Sequence, residues 1–308
     1  MRLRKGKIFA VAAFAIAAAT PAGAQGRSAP GFRTDSTLVV VPVTVVDRRG
    51  AIVNGLGGNA FTLTENGVPQ PIRSFSEDDA PVSLGIVLDL SGSMRGVLGA
   101  AKESLRTLMK DANPDDEVFL NGVSTRPRAY SGFEDTFEET MSRVDSERAG
   151  GYTALIDTVY ESLQQLRAGA HPRKALVVIS DGMDNHSRYT REELLRLAVE
   201  SDAQIYTIAT VASINPPPAP KPMVMTEAKR GLVFLEELAA RTGGINFVVS
   251  GGADIARAAA SIDQALRNQY VIGYVPQDNR GDGQWRKIRV KVAGSGMRAY
   301  ARTGYRLD

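Results

Sequence analysis

Between residues 81 and 268, short unbroken apolar runs alternate with segments whose apolar residues recur at helical spacing. Residues 84–88, 117–120, 175–179, 204–210 and 245–249 have the length and apolar character of buried strands. Between them, Met94, Val97, Leu98, Ala101, Leu105 and Leu108 mark one helical face, and Leu155, Val159, Leu163 and Leu166 another. Thr190-x-x-Glu193 is a capping box that opens a helix carrying Leu194, Leu195, Leu197 and Ala198. Residues 233–240 and the set Ile255, Ala258, Ala259, Ile262 and Leu266 continue the pattern. A strand apolar on both faces and joined to the next by a helix belongs in a parallel sheet. The spacing therefore predicts an α/β domain over 81–268 with a doubly wound, mainly parallel, Rossmann-like sheet.

The ends of the chain have a different character. Residues 38–46 are β-branched almost throughout, 47–50 read as a turn, and Phe61-Thr62-Leu63-Thr64 leads into Asn66-Gly67, the strongest short hairpin signal. Residues 270–275, then Ile288, Val290 and Val292 alternating with Arg289 and Lys291, then 297–305 read as three more strands. Neither end is long enough to close a core alone. The expectation is that the β segments 36–80 and 269–308 are antiparallel and pack together as a small β-sandwich-like module flanking the α/β domain.

The chain carries 37 Lys and Arg against 34 Asp and Glu, a formal +3 that suggests a basic protein. Four of those positive groups, Arg2, Arg4, Lys5 and Lys7, precede the apolar run 8–19 and the small-residue stretch ending at Ala24. That is the layout of a secretory signal peptide over residues 1–24, too short in its apolar part to span a bilayer. Its removal leaves a disordered lead-in over 25–35, a net charge of −1 and no integral membrane segment. The expected product is exported, periplasmic or secreted. Without the leader, charge gives no argument for nucleic acid, and Thr125-Arg126-Pro127-Arg128 is a short basic turn without interleaved aromatics. The absence of cysteine excludes disulfide scaffolds, thiolate zinc sites and thiol catalysis, and two histidines exclude a His-rich metal centre.

In open parallel sheets, ligand groups gather beyond the C-terminal strand ends. Two strands here run into aspartates at that edge, Asp89 and Asp181. Asp89-Leu90-Ser91-Gly92-Ser93 can turn three oxygens toward one point, and Thr153, after Gly150-Gly151-Tyr152, belongs to a loop expected on the same edge. Such oxygen donors suit a hard divalent cation. These residues resemble the von Willebrand factor A domain with its metal-ion-dependent adhesion site. The resemblance implies that Asp89, Ser91, Ser93, Thr153 and Asp181 hold Mg²⁺, with Mn²⁺ or Ca²⁺ as substitutes. It further implies that a protein partner's Asp or Glu carboxylate completes the coordination. Phe61–Gly67 and Arg302-Thr303-Gly304-Tyr305 are similar to a bacterial subgroup of secreted A-domain-related proteins. The helix expected from near Met94 aims its N-terminus at this region, mildly disfavouring the cation but favouring the partner's anion.

Two other readings stay open on the sequence. One is an envelope structural or assembly component in which the metal only stabilises loops. The other is an Mg²⁺-dependent phosphohydrolase, although the position two residues after Asp89 holds Ser91 where such enzymes need a second carboxylate. No G-x-S-x-G elbow and no P-loop occur. Asp111-x-Asn113-x-Asp115 lacks the Gly and final Glu of a calcium loop and reads as a polar connection. Glu77-Asp78-Asp79 reads as a solvated linker, and His171 and His186 as loop residues, His186 near the metal edge. The proline-rich run 215–222 reads either as a stiff binding surface on that edge or as a tolerated insertion.

Overall fold

The computed structural model describes residues 38–110, 112–211, 226–278, 281 and 283–306. The signal peptide 1–24, the lead-in 25–35 and the proline-rich run 215–222 lie outside the described residues. The described residues form one compact unit.

In chain order, the N-terminal β segment contains β1 (Val39–Val46), β2 (Phe61–Glu65), β3 (Val68–Gln70) and β4 (Ile72–Asp78). The α/β part follows with β5 (Val82–Asp89), α1 (Leu98–Met109), β6 (Glu117–Val123), β7 (Arg128–Ala129), α2 (Phe137–Asp145) and α3 (Leu155–Leu166). It continues through β8 (Arg173–Ser180), α4 (Arg191–Glu200), β9 (Gln204–Thr210), α5 (Glu227–Thr242), β10 (Asn246–Val249) and α6 (Gly252–Arg267). The chain ends with β11 (Gln269–Tyr274), β12 (Trp285–Val292), β13 (Arg298–Ala301) and β14 (Gly304–Arg306).

The central sheet has the order β10-β9-β8-β5-β6-β7, parallel throughout except for the short edge strand β7. Alternate side chains of each strand feed two cores. Leu84, Ile86, Leu88, Val177 and Ile179 pack under α1, α2 and α6, whereas Val87, Leu176 and Val178 pack under α3, α4 and α5. This is the doubly wound α/β fold that the spacing predicts, and it sends the ends of β5 and β8, neighbours in the sheet, to the same edge.

The two chain ends interleave in two four-stranded sheets, β13-β1-β11-β4 and β14-β12-β2-β3. β1 pairs antiparallel with β11 and β13, β4 with β11, and β2 with β12. Val41, Val43, Val45, Leu63, Tyr270, Ile272 and Tyr274 form a third apolar core. Asn66 and Gly67 both have positive φ, 49° and 86°, the backbone a two-residue hairpin of matching twist requires.

Four local features differ from the sequence reading. The 297–305 strand is split at Arg302-Thr303, so that β13 lies in one sheet and β14 in the other. The helix expected from near Met94 begins only at Leu98; Gly92–Gly96 is a 3-10 turn, because two glycines in five residues weaken an α-helical start. Glu77 and Asp79 are exposed, as a solvated segment would be, but Glu77 and Asp78 end β4 and are no separate linker: Glu77 accepts from the Gly55 amide at 2.9 Å, and Asp79 pairs with Arg267 at 3.0 Å. Finally, α2 carries its own capping box, Thr136 with Glu139, which the periodicity did not expose.

Candidate functional site

Each candidate residue is placed by the end of a strand or the loop after it. Asp89 is the last residue of β5 and has no exposed surface. One carboxylate oxygen accepts from the Ser91 amide at 2.8 Å and the other from the Ser180 hydroxyl at 2.6 Å. Burial dominates over these hydrogen bonds, with Asp181 adding a like charge, and the Asp89 carboxyl is pushed up to about 6. A carboxylate in this position gains from any cation placed beside it.

The turn after Asp89 brings the two serine hydroxyls together, with Ser91 Oγ and Ser93 Oγ 3.1 Å apart. Asp181 follows β8, and its carboxylate accepts from the Met183 amide at 3.0 Å. Ser93 and Asp181 share the lining of a cavity of about 180 Å³ with Met183, Thr210, Val211, Ala228 and Leu232. Thr153 is buried in the loop before α3. That loop is tied to the β5 turn by the Gly150 amide, which donates to Leu90 O at 2.8 Å. It is tied to the β8 loop by the Asn185 and His186 amides, which donate to Thr153 O at 3.0 and 3.1 Å. The structure therefore gathers the β5, β8 and Gly150–Thr153 loops at one edge of the sheet. Among the described residues no group of three His, Asp or Glu side chains is placed to hold a metal. An ion at this edge would depend on the hydroxyls, and two serine oxygens 3.1 Å apart beside two carboxylates suit a hard cation.

The positioning residues were not legible in the sequence. Ser180 both donates to Asp89 and accepts from the Gly182 amide at 3.0 Å. Asn185 Oδ1 accepts from the Thr153 amide at 2.9 Å. Asp184 accepts from the Ile156 amide at 2.9 Å and from Ser187 Oγ, and Ser187 Oγ accepts from the Asp157 amide, so this loop caps α3. The buried Asp157 in turn accepts from the Arg188 and Tyr189 amides at 2.8 and 3.0 Å. The one signal available was the polar run Asp181-Gly182-Met183-Asp184-Asn185, where carboxylate and amide groups crowd next to a strand end.

Gly182 itself is required: its φ is +75°, and a Cβ there would run into the carbonyl of Gly231 on α5. Gly182→Ala is expected to cost about 2–3 kcal/mol in urea unfolding, because left-handed strain and the backbone collision add. His186 stacks on the exposed Tyr152 with ring centroids 5.3 Å apart. His171 lies at the opposite end of the sheet, its amide donating to Ser83 Oγ. The 113–116 loop is a structural connection: Asp116 accepts from the Val82 amide and pairs with Arg267 at 2.6 Å.

Residues 84–183 match the family model of the von Willebrand factor type A domain. No curated protein matches the chain. Among solved structures, a von Willebrand factor type A protein from Catenulispora acidiphila is 12% identical, with a TM-score of 0.50 over 90% of this chain and 76% of that one. The von Willebrand factor domain of the type V pili tip protein Mfa5 from Porphyromonas gingivalis is 11% identical, with a TM-score of 0.47 over 60% of this chain and 95% of that one. An aerotolerance-related membrane protein from Bacteroides fragilis is 18% identical, with a TM-score of 0.46 over 60% and 98%. At such identities the Catenulispora structure shows a shared fold.

Proposed function

We propose, from the premise that this chain carries a von Willebrand factor type A domain, that it is a non-enzymatic protein-binding module whose adhesion site lies at the C-terminal edge of the central sheet. Asp89, Ser91, Ser93, Thr153 and Asp181 would hold Mg²⁺, and Mn²⁺ or Ca²⁺ in its place. When bound, the ion offers a partner's Asp or Glu carboxylate an electropositive coordination position. The protein's own residues do the rest. The two serines present neutral oxygens, so that the ion keeps positive charge for the partner. Ser180 and the Ser91 amide orient Asp89, and Asn185 fixes the threonine loop. The single observation that carries this reading is the Ser91–Ser93 hydroxyl pair next to a fully buried carboxylate.

Hydrolysis is disfavoured by the same pair, since the position two residues after Asp89 presents a hydroxyl turned to Ser93 and not an acid–base carboxylate. Export by a leader over residues 1–24 belongs to this proposal. Among the described residues no helix is long and apolar enough to cross a membrane.

A panel of peptides, each with one Asp or Glu among neutral residues, tests the reading by fluorescence anisotropy in Mg²⁺ and in EDTA. Binding that requires both the acidic residue and Mg²⁺ is expected, whereas uniform binding in EDTA would overturn it. Asn185→Ala is expected to weaken Mg²⁺ binding about tenfold without unfolding the protein, because it frees a ligand loop and removes no ligand. Calorimetric titration beside a circular dichroism melt checks both parts.

A further inference from the structure

Four arginines, on four different loops, each lie two residues from a site residue or from a backbone group that ties the site loops together. Arg95 lies two residues after Ser93, in the 3-10 turn, and is exposed. Arg148 lies two residues before Gly150, whose amide donates to Leu90 O. Arg126 lies two residues after Ser124, whose carbonyl accepts from the Ala154 amide, and the neighbouring Thr125 hydroxyl approaches Gly151. Arg188 lies two residues after His186, whose amide donates to Thr153 O, and its side chain is 79% exposed.

Three of the four have no local counter-charge. Among the described residues, Arg95, Arg126 and Arg148 make no ion pair or side-chain hydrogen bond. The neighbouring carboxylates are engaged elsewhere: Glu147 with Arg128 at 2.9 Å, Asp145 with Arg106 at 2.6 Å, and Asp184 with the cap of α3. Arg188 reaches only a long contact, 3.4 Å, to Asp157, which two amides already satisfy. The chain without residues 1–24 is close to neutral, so three exposed arginines without a local counter-charge, with Arg188 beside them, are a local feature of these loops. A partner that brought one carboxylate to the recessed site would leave these arginines uncompensated.

We propose that the partner of this edge is a segment of protein chain with several consecutive acidic residues. One carboxylate enters the recess between Ser91, Ser93 and Asp181, and the flanking carboxylates pair with Arg95, Arg126, Arg148 and Arg188. This inference rests on the adhesion-site reading and adds the partner's sequence character to it. Guanidinium groups suit the role, because they pair with carboxylates bidentately and never lose charge. Their distribution over four loops, each tied to the site by chain proximity, lets flexible carboxylate side chains of one segment reach several of them. Exposed pairs of this kind steer association and are screened by salt.

The test compares a labelled decaglutamate peptide with a peptide carrying a single Glu among glycines and serines. Both are titrated into the full protein in Mg²⁺ and in EDTA, at 50 and 500 mM NaCl. A ten-residue single-stranded oligonucleotide is titrated in parallel. The expected result is Mg²⁺-dependent binding of both peptides, with decaglutamate at least tenfold tighter at 50 mM NaCl. That advantage should shrink severalfold at 500 mM NaCl and fall severalfold in Arg126→Gln/Arg148→Gln, whose affinity for the single-Glu peptide should drop by less than its affinity for decaglutamate. Equal Mg²⁺-dependent affinities for the two peptides would overturn the acidic-run inference and leave the adhesion site standing. Decaglutamate binding unchanged by EDTA would overturn the adhesion-site reading and the inference with it. Oligonucleotide binding tighter than decaglutamate would overturn the inference in favour of a nucleic-acid partner.

Discussion

Asp89→Asn is expected to raise the thermal midpoint of the metal-free protein at pH 7.5 by several degrees while abolishing its further rise on adding Mg²⁺. The Asp89 carboxyl is fully buried and pushed up to about 6 from an ordinary 3.8. Between pH about 4 and 6, the folded state holds a proton that the unfolded chain has already released. Folding stability contributed by this group therefore falls as pH rises through that window, by up to about 3 kcal/mol, and stays low above it. Asparagine removes the charge, can still accept from the Ser91 amide and can donate to Ser180 Oγ. Melts of the parent and the variant in EDTA between pH 4 and 8 should diverge as pH rises, with the variant flat across the window. If the parent shows no such fall, the carboxylate is better compensated than its burial implies. A site that is costly when empty would be relieved by a cation, which is how metal binding and stability become linked.

The second large effect lies far from this edge. Glu65 is buried in the β-sandwich, where one oxygen accepts from Tyr274 at 2.6 Å and from Tyr305 at 2.9 Å, and the other faces Arg286 at 3.4 Å. The carboxylate ties β2 from the N-terminal segment to β11, β12 and β14 from the C-terminal one. Burial and the neighbouring Glu65 carboxylate push the Tyr305 phenol up to about 12 and Tyr274 higher still, so both hydroxyls stay protonated as donors. Glu65→Ala removes the shared acceptor and is expected to cost about 3–5 kcal/mol. Tyr305→Phe, which removes one donor and leaves the acceptor satisfied, is expected to cost only about 1 kcal/mol. Urea unfolding followed by tryptophan fluorescence from Trp285, on β12, checks both. Equal small losses would mean that apolar packing alone holds the two ends together.

Much of this architecture is written in local pattern. Strands such as β5 and β8 are apolar on both faces because helices cover both, and that leaves a continuous run in the sequence. Asp89 stood out because a carboxylate interrupts such a run at the sheet edge where ligands gather. What was not legible depends on distant partners. The break at Arg302-Thr303 follows from β13 pairing with β1, some 250 residues earlier, and β14 with β12. α2 is nine residues long, too short for its apolar spacing to register, although its Thr136–Glu139 box was present. Ser180 ends a strand, and Asp184 and Asn185 fall in the loop after it. Their roles depend on which groups the fold brings to them: the Thr153 and Ile156 amides lie 32 and 28 positions away from Asn185 and Asp184, and the Asp89 carboxylate 91 positions from Ser180.

Whether the hydroxyls just after β5 hold a divalent cation is decided by calorimetric titration of Mg²⁺ into the parent and into Ser91→Ala/Ser93→Ala. Saturable binding at one site is expected in the parent and none in the double variant, with both proteins equally folded by circular dichroism. Equal Mg²⁺ binding by the two proteins, or none by the parent, would contradict it.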